Sequence, residues 1–421
     1  ERHPNITVDK ILSQPVLYDE KYALCANGAQ YRKDFQGFLP KLMEKMYNDR
    51  VIFKKKMLQA KQQYEKTPTI ELTKEIARCN NIQMAKKISL NSAYGAIGNE
   101  YFRYFRIANA EAITLSGQVS IRWIENKMNS YLNKLLKTEE KDYVIASDTD
   151  SIYLNMGPVV ESIYGGRKAS DEKIVDFLDK VCTLELEKYI ESSYQELAQK
   201  VNAYDQKMQM KRENIADRGI WTAKKRYILN VWDSEGVRYE KPKLKIMGLE
   251  TARSSTPSFF RDKLKKAFTI IINDTNDDLI NFINQVRSET KKQDIVNISF
   301  PRSLNNLEKY KSSADLYKKG TPIQVRGAIL YNTMIKKMKL GNKYPTIQEG
   351  EKIKFVYLKE PNPIGENIIA YFQTLPSEFK LDKYIDYDMQ FEKSFLEPLK
   401  NVLDTIGWQV ERRGTLESFF S

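Results

Sequence analysis

Apolar residues recur every three to four positions in three long stretches of the chain. The first stretch runs from Gly37 to about Lys66, the second from Ile70 to about Ala93, and the third from Ala108 to Leu136. This spacing places apolar side chains on one side of an α-helix. Pro68 separates the first two stretches because proline cannot continue a helix. The pattern predicts three long helices, of which the first two form an antiparallel hairpin.

The apolar pattern becomes strand-like after residue 140. Two short runs rich in β-branched and aromatic residues, Tyr143–Ser147 and Ser151–Leu154, flank the triplet Asp148-Thr149-Asp150. Two further runs, Arg226–Trp232 and Val237–Tyr239, are separated by a short segment of turn-forming residues. These segments predict one β-hairpin with an acidic tip and a second pair of strands.

The chain becomes more polar and richer in lysine beyond about Gly248. Within this part, helical periodicity predicts helices at Ser258–Asn273 and Asp278–Lys291. The change in composition indicates a separate lobe.

The composition is that of a basic globular protein. The 421 residues carry 68 Lys+Arg against 55 Asp+Glu, a formal net charge of +13. With 41% hydrophobic residues the chain can form packed cores, which excludes global disorder. Its length corresponds to roughly two to four domains. No apolar run approaches the length of a membrane span and no apolar signal segment follows the first residues, so the sequence predicts an intracellular protein without membrane partners.

One histidine and three scattered cysteines limit the chemistry. His3 is near the N-terminus, so Ser-His-Asp triads and His-ligated zinc are excluded. Cys25, Cys79 and Cys182 are too far apart for a metal-knuckle spacing, and we predict that they are reduced core thiols. Catalysis would therefore depend on carboxylates, lysines, tyrosines or bound metal ions.

The acidic tip of the predicted hairpin is a candidate metal site. Residues two apart on a strand face the same side, so Asp148 and Asp150 can present two carboxylates to one hard cation. Magnesium suits such a site because it keeps water and substrate phosphates as its other ligands. An ordinary acidic turn is the alternative interpretation.

One face of the second predicted helix is a candidate binding surface. Lys87, Asn91 and Tyr94 are at positions i, i+4 and i+7, so this face carries a cation, an amide and an aromatic ring, which suit a phosphate, a sugar and a base. On the first helix, Arg50 and Lys54 are four residues apart and can join Lys87 on a triphosphate. The alternatives are a solvated polar stripe and a surface basic patch.

Four segments together resemble the motifs of one enzyme family. Residues 87–95 resemble the K-x-x-x-N-S-x-Y-G motif of family B DNA polymerases, and residues 147–151 resemble their D-T-D-S motif. Residues 224–227 are similar to the family's K-K-R-Y, and Lys243–Pro257 resembles the palm-to-thumb junction in members from T-even-type bacteriophages. Alone, either of the last two segments would be a solvated basic strand end. The resemblance extends over essentially the whole chain, including Val325–Asn332.

The resemblance implies an α+β fold with the right-hand polymerase architecture: an antiparallel-sheet palm, helical-hairpin fingers and a mostly helical thumb. The implied parts are palm at 1–36 and 100–248, fingers at 37–99, and thumb with a clamp-binding tail at 249–421. The implied activity is template-directed addition of dNTPs to a primer 3′ hydroxyl by phosphoryl transfer with two Mg²⁺ ions. For a phage-encoded enzyme the implied location is the cytoplasm of the host cell.

The resemblance also implies roles for individual residues. Asp148 and Asp150 would be catalytic palm carboxylates that bind the metal ions, and Tyr94 and Gly95 would line the pocket of the new base pair. The residues that would bind the triphosphate when the fingers close are Arg50, Lys54, Lys87 and Asn91. The residues that would hold primer–template DNA are Lys224, Lys225, Arg226, Tyr227, Arg253 and Arg326.

One family motif has no counterpart in the chain. The family's other essential palm aspartate lies in a D-x-x-S-L-Y-P-S string, which does not occur, whereas Asn5-Ile6-Thr7 resembles the stretch just downstream of it. We therefore expect a C-terminal portion that needs an N-terminal portion carrying this aspartate and the proofreading exonuclease. A split polymerase completed by a second polypeptide and a piece of a longer chain both fit.

The last residues of the chain form an apolar cluster on a polar tail. Leu416, Phe419 and Phe420 resemble the tail with which the family binds its sliding clamp, and packing onto the chain's own thumb is the alternative.

A non-catalytic function is the competing hypothesis. A sequence-independent DNA-binding and clamp-tethering subunit would also be basic and would carry the same tail. Asp148 and Asp150 argue against it, because an acidic pair that faces phosphates weakens binding unless it serves catalysis.

Overall fold

The computed structural model divides the chain into two compact units. Unit 1 extends to residue 217 and includes residues 231–243, and unit 2 comprises residues 218–230 together with the chain from residue 244 onward. The structure describes residues 5–16, 19–165, 169–312 and 316–411.

Unit 1 is built mainly from helices. They are α1 (Val8–Ser13), α2 (Phe38–Lys66), α3 (Ile70–Ile97), α4 (Ile107–Leu136), α5 (Gly157–Tyr164), α6 (Asp171–Val181) and α7 (Glu187–Lys200). Two antiparallel hairpins accompany them: β1 (Tyr22–Leu24) with β2 (Gln30–Arg32), and β3 (Val144–Asp148) with β4 (Ser151–Leu154).

The predicted helical hairpin is confirmed as α2 and α3. The side chain of Thr69 accepts a hydrogen bond from the amide of Leu72 and so caps the start of α3. Lys86 pairs with Asp49 at 2.9 Å across the two helices, as an antiparallel arrangement requires. The buried residues of the two helices are Met57, Ala60, Cys79 and Gln83. Most of both helix surfaces therefore remains open to solvent.

The core of unit 1 follows α4, the third predicted helix. Ile124, Met128 and Leu132 are fully buried on this helix at the spacing of an amphipathic face. Val144 of β3 and Tyr194 of α7 belong to the same buried cluster as Ile124 and Met128. This packing fixes the base of the β3–β4 hairpin and leaves its tip exposed.

Three longer strands form a further sheet. Its strands are β5 (Asn214–Ala223), β6 (Arg226–Ser234) and β7 (Val237–Met247), in the order β5-β6-β7. The last two were predicted, although β7 is longer than expected. Strand β5 was not predicted, because Asp217, Arg218 and Gly219 interrupt the alternation of apolar and polar residues.

Unit 2 surrounds a larger apolar core. Its helices are α8 (Ser258–Asn273), α9 (Asn276–Thr290), α10 (Ile295–Ile298), α11 (Leu307–Tyr310), α12 (Ile323–Lys337), α13 (Tyr387–Phe391) and α14 (Glu397–Ile406). An antiparallel sheet consists of β8 (Phe300–Ser303), β9 (Lys352–Tyr357) and β10 (Ile368–Tyr371), in the order β10-β9-β8. Helix α12 packs closely on β10 at Gly327, where a Cβ would come within 2.8 Å of the amide nitrogen of Ala370.

The mixture of helices with small antiparallel sheets confirms the α+β class. The right-hand architecture and its division into palm, fingers and thumb stay predictions. Of the helices in the described ranges, none is long and apolar enough to cross a membrane.

The three cysteines are free, as predicted. Cys79 is fully buried, whereas Cys25 and Cys182 are half-buried. Burial raises the pKa of the Cys25 thiol, and it raises the pKa of the Cys182 thiol to about 11. The half-buried thiols are thus poor nucleophiles at neutral pH, consistent with a role in packing.

Candidate functional site

The acidic triplet forms the tip of the β3–β4 hairpin. Asp148 pairs with Ser151 in the strand register, which leaves Thr149 and Asp150 as the connecting turn. The amide of Asp150 donates to the carbonyl of Asp148 at 2.6 Å. Asp148 is half-buried and Asp150 is exposed. The sequence argument placed both on one strand face, but β3 ends at Asp148, so the turn conformation, and not strand alternation, determines where Asp150 lies.

Two hydroxyl groups at the tip form hydrogen bonds with Asp148. The hydroxyl of Thr149 donates to the Asp148 carboxylate at 3.0 Å, and the hydroxyl of Ser151 donates to the Asp148 carbonyl at 3.2 Å. Burial, with a further contribution from the charge of Asp150, raises the pKa of Tyr194 to about 12. Tyr194 is therefore a neutral phenol at physiological pH that lies within the electrostatic reach of Asp150.

Thr149 adopts a strained conformation. Its φ of 56° is in the left-handed region, which a β-branched residue seldom adopts. We expect Thr149→Gly to stabilise the protein by about 0.5 to 1 kcal/mol, since relief of strain exceeds the added flexibility of the unfolded chain.

Urea unfolding measures this effect, and Ser147→Gly is a matched control. Ser147 lies on β3 with ordinary strand geometry, so glycine there should destabilise the hairpin. If Thr149→Gly destabilises the protein as much as the control does, the turn is not strained.

The two aspartates are a chemically suitable but small donor set for a metal ion. Two carboxylates match the preference of Mg²⁺ for a few protein oxygens together with water and substrate phosphates. Within the described residues, no three acidic, histidine or cysteine side chains come together as a possible metal site.

The predicted binding face lies on the exposed side of α3. Lys87 and Asn91 are exposed, and the ring of Tyr94 is 42% exposed. A Cβ at Gly95 would meet no atom within 4 Å, so the surface next to Tyr94 is open. The i, i+4, i+7 arrangement is therefore confirmed as one accessible surface.

The two cations predicted on α2 differ in their partners. Lys54 forms an ion pair with Glu235, in the turn between β6 and β7. Arg50 forms no ion pair with any residue that the structure describes, and its Nε is buried without a hydrogen-bond partner. Arg50 thus keeps donors for an anionic ligand, whereas Lys54 would first have to leave Glu235.

The residues that resemble the family's K-K-R-Y segment lie around the β5–β6 turn in unit 2. Lys224 and Lys225 are exposed in the turn, and Lys225 has a φ of 63°. Arg226 pairs with Glu250 at 2.9 Å. Tyr227 is only 7% exposed, with its ring 6.2 Å from that of Trp221. The ring therefore packs against the turn, and the contact of Tyr227 with DNA stays a prediction.

Gly248 fixes the position of the β5–β6 turn. Its φ is 67°, and a Cβ there would come within 2.1 Å of the carbonyl oxygen of Lys225. Only glycine allows this approach of the backbone to the turn.

The remaining predicted DNA contacts are also in unit 2. Arg253 is about half exposed and donates to the carbonyl of Gly248 at 3.1 Å. Arg326 is half-buried and donates to the side-chain oxygen of Asn367 at 2.6 Å. The predicted clamp-binding residues Leu416, Phe419 and Phe420 lie outside the described residues.

The structure reveals an aromatic surface in unit 1 that the sequence analysis missed. Tyr101 is 90% exposed, and Tyr104 packs edge-to-face on Phe38 with the ring centroids 5.0 Å apart. Arg103 lies over the ring of Tyr104 at 5.7 Å. The alternation of aromatic residues and arginines over residues 101–106 was the available signal, since such surfaces suit single-stranded nucleic acid.

Comparison with known proteins links the chain to one family. The family model described as DNA polymerase family B matches residues 13–406. The DNA-directed DNA polymerase of Enterobacteria phage T4 is 30% identical over 95% of the chain and 50% of its own length. That of Escherichia phage RB69 is 32% identical with the same coverage, and DNA polymerase 1 of Pyrococcus abyssi is 24% identical over 91% of the chain and 41% of its own length. The chain spans about half the length of the two phage relatives.

Proposed function

The chain belongs to DNA polymerase family B, and from this premise we propose that it contributes the nucleotide-adding site of a template-directed DNA polymerase. The observation that carries the proposal is the occurrence in unit 1 of both the exposed acidic tip at 148–150 and the accessible face of α3. The first suits a divalent cation and the second a nucleoside triphosphate.

Asp148 and Asp150 would hold the metal ions, for which we propose Mg²⁺. When bound, Mg²⁺ would lower the pKa of the primer 3′ hydroxyl and neutralise the negative charge of the departing pyrophosphate. The protein's part is to keep two carboxylates on a short, fixed turn. Tyr194, as a neutral phenol, adds no charge that would compete with the metal ions.

The nucleotide would lie along the exposed face of α3. Lys87, Arg50 and Lys54 would neutralise charge on the triphosphate, and Asn91 would donate to its oxygens. Tyr94 and the open surface at Gly95 would accommodate the new base pair. These groups would neutralise charge and orient the nucleotide without forming a covalent bond to it. Phosphoryl transfer requires only positioning and charge stabilisation from the protein.

We further propose that the site is completed by another carboxylate, from an N-terminal portion or a partner polypeptide. Two observations support this: the described residues bring together no three possible metal ligands, and the chain matches about half of its phage relatives. The same portion would be the natural carrier of a proofreading exonuclease.

DNA binding would rest on charge and not on sequence. The net charge of +13 favours phosphate contacts, to which Lys224, Lys225, Arg253 and Arg326 of unit 2 would contribute. Leu416, Phe419 and Phe420 would tether the chain to a sliding clamp. Affinity for primer–template should then be independent of sequence and should fall steeply with salt.

Primer extension tests the proposal. The chain is assayed with labelled primer–template, dNTPs and Mg²⁺, alone and with an N-terminal polymerase portion that carries the missing aspartate. We expect extension only in the completed mixture. If neither mixture extends the primer while the chain still binds duplex DNA, the chain is instead a non-catalytic DNA-binding and clamp-tethering subunit.

A further inference from the structure

Helix α2 is attached to residues 205–217 and 231–243 of unit 1 by polar contacts along its length. Three ion pairs and one hydrogen bond make this attachment: Glu44–Lys207 at 2.6 Å, Lys54–Glu235, Gln62 with the amide of Arg238 at 3.0 Å, and Glu65–Lys243 at 2.6 Å. Ion pairs of this kind on partly exposed side chains are individually weak. Each can therefore be exchanged for another partner at little energetic cost.

The pair between Lys54 and Glu235 differs from the other two ion pairs. In it alone the helix supplies the cation, whereas Glu44 and Glu65 supply the anion in the others. It is also the least exposed of the three, with side chains 33% and 25% accessible. Partial burial weakens solvent screening, so this pair is the strongest of the set.

The backbone around Glu235 is fixed in place. The amide of Glu235 donates to the carbonyl of Glu213 at 2.6 Å, and the next amide, of Gly236, donates to the buried Asp233 carboxylate at 2.9 Å. The Glu235 carboxylate therefore belongs to an anchored turn, and the Lys54 ammonium group pairs with it there.

Among the cations proposed to bind the triphosphate, Lys54 alone is already paired with an anion. Arg50 and Lys87 form no ion pair with any described residue, whereas Lys54 is held by Glu235. A carboxylate and a phosphate oxygen compete for the same ammonium group. A phosphate that draws the ammonium group toward itself weakens its pair with Glu235.

We propose that Glu235 is a positioning residue that takes the place of a phosphate on Lys54 until a nucleotide arrives. Binding of the triphosphate then transfers Lys54 from Glu235 to the phosphates. The ion pair between α2 and the β6–β7 turn is thereby broken. The inference rests on the proposed function, because it requires that Lys54 binds the triphosphate. If the inference holds, Glu235 lowers the affinity for the nucleotide, because its ion pair with Lys54 must be broken before Lys54 binds the phosphates.

Nucleotide titration of the full chain tests the inference. The dissociation constant for dATP is measured by calorimetry, with Ca²⁺ as the divalent ion to prevent chemistry. We expect Glu235→Gln to bind dATP about three- to fivefold more tightly than the wild type, as loss of one partly buried ion pair allows. In a Lys54→Gln background, which binds more weakly, the same change should have no effect.

Glu65→Gln is the matched control, because it removes an ion pair of α2 without freeing a proposed phosphate ligand. Its affinity for dATP should stay at the wild-type value. The inference is overturned if Glu65→Gln tightens binding equally, if Glu235→Gln acts equally without Lys54, or if Glu235→Gln leaves the affinity unchanged. Failure of the wild type and every variant to bind dATP would instead refute the proposed nucleotide site itself.

Discussion

Asp150→Ala is expected to abolish primer extension by the completed polymerase, with a loss of about a thousandfold or more. The exposed Asp150 carboxylate at the hairpin tip has a neighbouring carboxylate in Asp148, but the described residues place no third metal ligand beside them. Removing one of two carboxylates should leave the metal ions without adequate ligands. Affinity for primer–template should stay within about twofold, since the variant removes no cation that contacts phosphates.

Single-turnover extension and equilibrium DNA binding measure the two effects separately. Glu139→Ala is the control, because Glu139 is an exposed acidic residue shortly before β3 and outside the proposed site. It should leave both quantities unchanged. An Asp150→Ala enzyme that extends primers at the normal rate would refute the assignment of the metal site.

Asp233→Ala is expected to destabilise the protein by about 3 to 5 kcal/mol. Asp233 is 2% exposed, and its carboxylate accepts hydrogen bonds from Arg212, from Nε of Arg238 at 3.1 Å and from the amide of Gly236 at 2.9 Å. Alanine would remove this anion from the half-buried guanidinium groups, which would keep only Asp179 beside Arg212 and Asp176 beside Arg238. The β6–β7 turn would also lose the bond that holds Gly236.

Urea unfolding monitored by tryptophan fluorescence measures the loss. Asp9→Ala is the control, since Asp9 pairs with Arg122 at 2.8 Å but both side chains are mostly exposed. Pairs of that kind contribute little, so the control should unfold close to the wild type. If Asp233→Ala and the control are equally stable, the contacts of Asp233 with Arg212, Arg238 and Gly236 do not stabilise the protein.

The long helices and the acidic hairpin were predictable because their signals are local. Helix α8 has the predicted bounds, and α4 begins one residue earlier than predicted. Strands β8, β9 and β10 were missed, since they are only four to six residues long and share no alternating pattern that separates strand from helix. Their identity depends on pairing partners far away in the chain.

The residue types of the candidate site were predictable, but their partners were not. Helical spacing correctly placed Lys87, Asn91 and Tyr94 on one accessible face. The pairing of Lys54 with Glu235 joins residues 181 positions apart, which no local pattern reveals. Similarly, the burial of Tyr227 follows from packing and not from its basic neighbours in the sequence.

The most direct test of the central claim locates the metal ion on the chain. Fe²⁺ replaces Mg²⁺ in the presence of dATP, and ascorbate with peroxide then generates radicals that cut the backbone near the bound iron. We predict cuts at residues 148–151 and at residues 87–95, both suppressed by excess Mg²⁺ and lost in the Asp148→Asn/Asp150→Asn variant. Cuts confined to other segments, or cuts that persist in this variant, would contradict a metal site at the hairpin tip facing the nucleotide-binding helix.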